Sequence, residues 1–147
     1  LVGSGDVYKR QPLKEGNESD LKYIFDRRKM PIYLDESCRY AKQIPLWAKY
    51  VDGINLKLMK CGGITEGLKI INTARAHGLK TMIGCMSESS LSIAASASIS
   101  GIIDHIDLDS HYNLNPDPST GTKLINGITS LLENPGHGGE LKKTYYA

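Results

Sequence analysis

The sequence predicts an α/β fold whose parallel strands curl toward a (β/α) TIM-type barrel. Three observations carry that prediction. Strand-like and helix-like segments alternate from Pro12 onward, the pattern of βαβ units on a parallel sheet. Strands recur about every 25 residues, a spacing common to barrels and doubly wound sheets. Strand parity then separates the two. In "INLKL", Ile54, Leu56 and Leu58 share one face while Asn55 and Lys57 share the other. "IYLD" (Ile32, Leu34 against Tyr33, Asp35) and "IDLD" (Ile106, Leu108 against Asp107, Asp109) repeat the design. A sheet covered by helices on both faces has no use for a polar side. A barrel does, because its inner face rises to a site at the C-terminal rim.

Taken in order, "LKYIFDRRK" reads as a helix with Leu21, Ile24 and Phe25 on one face. "MPIYLDES" is a short strand. "CRYAKQIPLWAKY" is helical, with an interruption expected at Pro45 because proline lacks the amide proton. "VDGINLKL" is a strand. "TEGLKIINTARAHG" is a helix with Thr65 as cap, Leu68, Ile71 and Ala74 along one face, and Gly78 as its stop. "KTMIGCM" is a strand. "SESSLSIAASASISG" is a helix, with Ser87 as a candidate cap and Gly101 as a stop. "IIDHIDLD" is a strand. Beyond Ser110 the chain turns loop-rich, with one hairpin-like piece at "KLINGITSLLE".

Composition bounds the function. The 147 residues suffice for about one domain, and 40% hydrophobic content suits a globular chain. The net charge is +2, with no basic stripe interleaved with aromatics, so no nucleic-acid partner is expected. No apolar run is long enough for a membrane helix. Cys38, Cys61 and Cys85 are isolated and odd in number, which argues for a reducing, cytoplasmic setting. His105, His111 and His137 show no metal-ligand spacing, and His77 closes a helix, where a cation is favoured. "PGHGG" is a turn signal. The segment "LVGSGDVYKRQ", residues 1–11, resembles translated adapter and transposase-end sequence from DNA libraries. It is expected to be non-native and is set aside. Residues 12–138 are then the barrel part and 139–147 a polar tail.

The parity argument gathers Asp35, Lys57, Asp107 and Asp109 on one rim. A lysine among carboxylates can be paired or tuned for proton transfer. Acidic groups suit a hard divalent cation or the ammonium group of a ligand. Lys60 falls past the strand end, where a loop or surface role is expected.

On these residues the sequence resembles the enolase superfamily, in its muconate-lactonizing subgroup, and among those the dipeptide epimerases of the L-Ala-D/L-Glu type. The motifs that carry the resemblance are "LDES" at 34–37, "INLKLMKCGG" at 54–63, "IGCMSESSL" at 83–91 and "DLD" at 107–109. The resemblance implies the C-terminal half of a barrel, incomplete by itself. It implies that Asp35 is one of three carboxylates for Mg²⁺ and that Lys57 is an acid/base on one face of the substrate. Asp107 and Asp109 would grip the α-ammonium group of a dipeptide, and Cys85, Met86 and Ser87 would line the pocket. The implied reaction is inversion of an α-carbon by proton transfer through an enediolate. Mg²⁺ is the natural stabiliser of the charge that builds on the carboxylate.

The chain also departs from that pattern. The resemblance calls for a second lysine and two metal carboxylates on earlier strands, and for Glu-Gln-Pro where Arg10, Gln11 and Pro12 stand. The complete protein is therefore expected to be an isomerase, and this chain inactive alone, with open sheet edges that invite self-association. Muconate cycloisomerase and o-succinylbenzoate synthase are the related alternatives. A non-catalytic interaction module is the alternative of another class.

Overall fold

The computed structural model describes residues 9–126 and 128–145. Residues 1–8, most of the segment set aside above, and residues 146–147 of the expected tail lie outside the described residues. Five strands form one all-parallel sheet: β1 (Lys9–Arg10), β2 (Ile32–Leu34), β3 (Gly53–Leu56), β4 (Lys80–Ile83) and β5 (His105–Ile106). They lie in chain order, β1-β2-β3-β4-β5. A sheet wound in one direction, with no reversal of strand order, is the topology of a barrel and not of a doubly wound sheet. The sheet is also strongly curled. Laid flat, its edge strands would stand about 19 Å apart at the usual strand spacing. Yet the Arg10 guanidinium on β1 reaches the Asp107 carboxylate beyond β5 at 3.1 Å.

Helices pack on the outside. The helix α4 (Ile64–Ala76) buries Gly67, Ile70, Ile71 and Ala74, one stripe at helical spacing. It docks on a core that includes Ile54, Leu56 and Ile83. The shorter helices are α1 (Leu21–Phe25), α2 (Ile44–Trp47), α3 (Leu58–Cys61) and α5 (Ser90–Ala97). The C-terminal region adds two antiparallel pairs. One joins β6 (Ser119–Thr120) to β9 (Glu140–Leu141) and the other joins β7 (Thr122–Ile125) to β8 (Ile128–Leu131). The second is the hairpin expected at "KLINGITSLLE". Residues 140–141 of the expected polar tail are thus paired in a strand.

Several local expectations are corrected. The stretch 38–50 is helical and broken next to Pro45 as expected, but into three short pieces: a 3-10 turn at Ala41–Gln43, then α2 with Pro45 in its first turn, where the missing amide proton costs nothing, then a 3-10 turn at Ala48–Tyr50. Thr65 lies inside α4, and Gly63 takes the cap position. Ser87 caps nothing. The first amides of α5 are met from downstream instead: Ser90 N–H donates to Asp117 Oδ2 and Leu91 N–H to Ser119 Oγ, each at 2.9 Å. The strand expected over 102–109 is regular only at His105–Ile106, and Ile106 is 57% exposed because it sits on an edge strand. The helix α3 was not foreseen. It turns back immediately after Lys57 and ends at Gly62 (φ 84) and Gly63 (φ 127), conformations a side chain would resist.

Candidate active site

Parallel strands bring their C-terminal ends to one rim. Asp35 follows β2, Lys57 follows β3, Cys85 to Ser87 follow β4, and Asp107 and Asp109 follow β5. The residues singled out in the sequence therefore share one end of the sheet, in two groups.

The first group centres on Asp35, which is buried. Lys57 Nζ stands 3.1 Å from Asp35 Oδ1, and Lys60 Nζ donates to the same oxygen. Asn55 Nδ2 donates to Asp35 Oδ2 at 2.7 Å. The Asp35 backbone N–H is held by Gln11 Oε1 at 2.9 Å, and Gln11 Nε2 donates to Ser37 Oγ at 2.7 Å. Burial would raise the Asp35 carboxyl. The hydrogen bond and charge of Lys60, with Asn55 and Lys57, outweigh it and hold the group below its ordinary value. Burial pulls the Lys60 ammonium below its ordinary value, with Asp35 opposing the shift.

Lys57 is only 7% exposed. Beyond Asp35 its ammonium faces Glu36 Oε1 at 3.5 Å and Met86 Sδ at 3.7 Å. One strand-end lysine thus lies between a buried carboxylate, a half-exposed one and a thioether. Asn55 Oδ1 has no hydrogen-bond partner although it is buried, and it fills the space beside Gly84, where a Cβ would come within 2.9 Å.

The second group is more open. Asp107 pairs with Arg10, and Cys85 Sγ lies 4.0 Å from Asp109 Oδ1. Ser87 is exposed and Met86 half-exposed at the rim.

Lys60 is the main correction. It was expected in a loop or surface role, but α3 folds it back so that its ammonium is buried against Asp35. The two glycines after Cys61 were the available signal, because they mark a single helical turn. Asn55 was visible as the polar partner of Lys57 on the same strand face. Gln11 and Glu88, which fasten the loops, stand within motifs of the resemblance, but no role was expected of either.

The donor set of this chain does not by itself fit a divalent cation. Both oxygens of Asp35 are engaged by Lys57, Lys60 and Asn55. Among the described residues no group of three or more His, Cys, Asp or Glu side chains could hold a metal. Among them, too, no helix is long and apolar enough to cross a membrane.

A family model for enolase C-terminal domain-like proteins matches residues 10–145. A relative from Flavobacteria bacterium (strain MS024-2A), named hydrophobic dipeptide epimerase, is 66% identical over 140 residues, covering 95% of this chain and 40% of its own length. A relative of the same name from Roseobacter litoralis is 61% identical, over 91% of this chain and 39% of its own length. Among solved structures, a dipeptide epimerase from Cytophaga hutchinsonii, complexed with Mg and the dipeptide D-Ala-L-Val, superposes with a TM-score of 0.87 at 28% identity. That match covers 96% of this chain and 40% of the other. The chain therefore spans about 40% of the length of the curated relatives it matches, and its five-stranded sheet is part of a barrel.

Proposed function

The chain belongs to the enolase C-terminal domain-like family, and from that premise we propose that the complete protein carrying it is a dipeptide epimerase. The observation that carries the reading is the Lys57–Asp35 pair, a buried lysine 3.1 Å from a buried carboxylate at the end of adjacent parallel strands. Lys57 is the acid/base for one face of the substrate's α-carbon. Its approach is bounded by Asp35, Glu36 and Met86. A base that takes a proton near pH 7 must be neutral when it does so. Asp107 and Asp109 are proposed to bind the α-ammonium group, and Cys85, Met86 and Ser87 to line the pocket. Arg10 occupies Asp107 in this chain, so a ligand ammonium would have to displace it.

Mg²⁺ is proposed for the complete protein, with Asp35 as the carboxylate this chain supplies. The remaining ligands must come from outside the chain. The second acid/base that inversion requires must also come from there. The chain alone is accordingly proposed to be inactive. Relatives at 66% and 61% identity are named for hydrophobic dipeptides, so these come first as substrates, ahead of L-Ala-L-Glu.

The test uses the complete protein. Hydrophobic dipeptides and L-Ala-L-Glu are incubated in D₂O with Mg²⁺ and followed by NMR for α-deuterium exchange. Exchange is expected with at least one dipeptide, and Lys57→Ala should abolish it for at least one epimer. Absence of exchange with every dipeptide refutes the reading. Full turnover after Asp107→Asn with Asp109→Asn would remove the dipeptide assignment and favour a cycloisomerase or synthase of the same superfamily.

A further inference from the structure

The loop joining β4 to α5 carries Met86 against Lys57, and its backbone needs partners to hold that position. The last sheet bond on its inner side runs from Gly84 N–H to Leu56 O at 2.8 Å. Two residues later, Met86 N–H donates to Glu88 Oε1 at 2.7 Å. The other Glu88 oxygen accepts from Ser92 Oγ, in the first turn of α5. Glu88 N–H donates to Ser110 Oγ at 3.3 Å, on the segment that follows Asp109. Glu88 is thus tied to three parts of the rim at once.

Glu88 is 3% exposed, and among the described residues its carboxylate meets an amide and a hydroxyl but no cation. A buried carboxylate is costly unless hydrogen-bonded. Its position ahead of the first turn of α5 offsets part of that cost. Met86 is a flexible, unbranched side chain and is 43% exposed, so packing does not fix it. Its backbone is what is held.

We propose that Glu88 is a positioning residue for the Lys57 chemistry: it fastens the Met86 backbone to α5 and so sets the thioether wall beside the Lys57 ammonium. The consequence for turnover rests on the epimerase reading. The placement of Met86 does not, and it can be measured without turnover.

The first arm uses this chain with ¹³C-methyl methionine. Four methyl lines arise from Met30, Met59, Met82 and Met86, and Met86→Leu identifies the last. Glu88→Ala and Glu88→Asp should shift or broaden the Met86 line and leave the core Met82 line in place. Glu88→Gln keeps an oxygen for Met86 N–H and an amide for Ser92 Oγ, so it should leave Met86 unmoved. If Glu88→Ala unfolds the chain, seen as collapse of the Met82 line, Glu88→Asp decides. The second arm uses the complete protein, where Glu88→Ala should lower kcat for α-deuterium exchange about 100-fold, the scale of a 1 Å misplacement. KM should change less, and Glu88→Gln should restore most of the rate. An unmoved Met86 line in the decisive variant, or an unchanged kcat in Glu88→Ala, overturns the proposal. If Met86 moves as expected while the unmodified complete protein exchanges no dipeptide, the epimerase reading fails and the anchoring of Met86 by Glu88 stands.

Discussion

The Asp35 cluster predicts a measurable energetic coupling between Asp35 and Lys60. Lys60→Met keeps the aliphatic stem and removes the ammonium. Asp35 then retains Lys57 at 3.1 Å and Asn55 at 2.7 Å, so no charge is orphaned. The expected cost is that of one charged hydrogen bond, about 1.5–3 kcal/mol. Asp35→Asn is different in kind. It leaves two buried ammonium groups facing each other, with the half-exposed Glu36 at 3.5 Å from Lys57 the remaining carboxylate paired with them among the described residues. Removing one member of a buried pair costs about 3–5 kcal/mol. In the double variant one of the two stranded ammonium groups is gone, so its cost should fall short of the sum of the single costs by about 1–3 kcal/mol. Urea denaturation of the chain and its three variants, followed by circular dichroism, measures the cycle. Additive costs within about 0.5 kcal/mol, or an Asp35→Asn cost below that of Lys60→Met, would refute the picture of one anion serving two buried cations.

Three further outcomes are expected. Asp104 accepts from Thr81 N–H and Thr81 Oγ1 and pairs with Lys80, each at 2.9 Å. The Thr81 amide, with these partners, outweighs burial and lowers its carboxyl to about 2. Its contribution is therefore full above its unfolded value of about 4 and is lost as pH falls through about 2. Asp104→Asn should cost about 1–2 kcal/mol at pH 7 and flatten that acid limb in urea titrations; an unchanged limb counts against it. Gly53→Ala would place a Cβ 2.4 Å from the Tyr33 ring, inside a buried strand. About 1–3 kcal/mol of destabilisation by overpacking is expected, and a wild-type melting curve would contradict the packing described. Burial pushes the Cys38 thiol up to about 12 and also raises Cys61, whereas Cys85 is partly exposed. A disulfide reagent at pH 8 should titrate one fast thiol in the folded chain, and two or three fast thiols would show that the core is open.

How much of this was legible in the sequence depends on distance along the chain. The βα alternation and the polar strand ends follow from patterns within a few residues, so Asp35, Lys57, Asp107 and Asp109 were found at one rim. The helix starts were not, because their partners are remote. Asp117 and Ser119 cap α5 from more than 25 residues away, and no local rule points to them over Ser87. The burial of Lys60 depends on a one-turn helix set by Gly62 and Gly63. Single turns leave no periodicity to read. Arg10 shows the same limit: its contact with Asp107 exists only because the sheet curls.

The charge balance around Asp35 indicates what the rest of the site must supply. Lys57 and Lys60 converge on one carboxylate, and Glu36 contributes a second that is half solvated. Buried charge is tolerated only when matched, and the two lysines already consume what these residues offer. A divalent cation added beside Asp35 would bring two more positive charges into the same space. It could be held only if at least two further carboxylates arrived with it, since hard cations need oxygen ligands in number. The proposed proton-transfer role of Lys57 and the proposed cation therefore share one requirement, oxygen ligands beyond an Asp35 that already answers two ammonium groups.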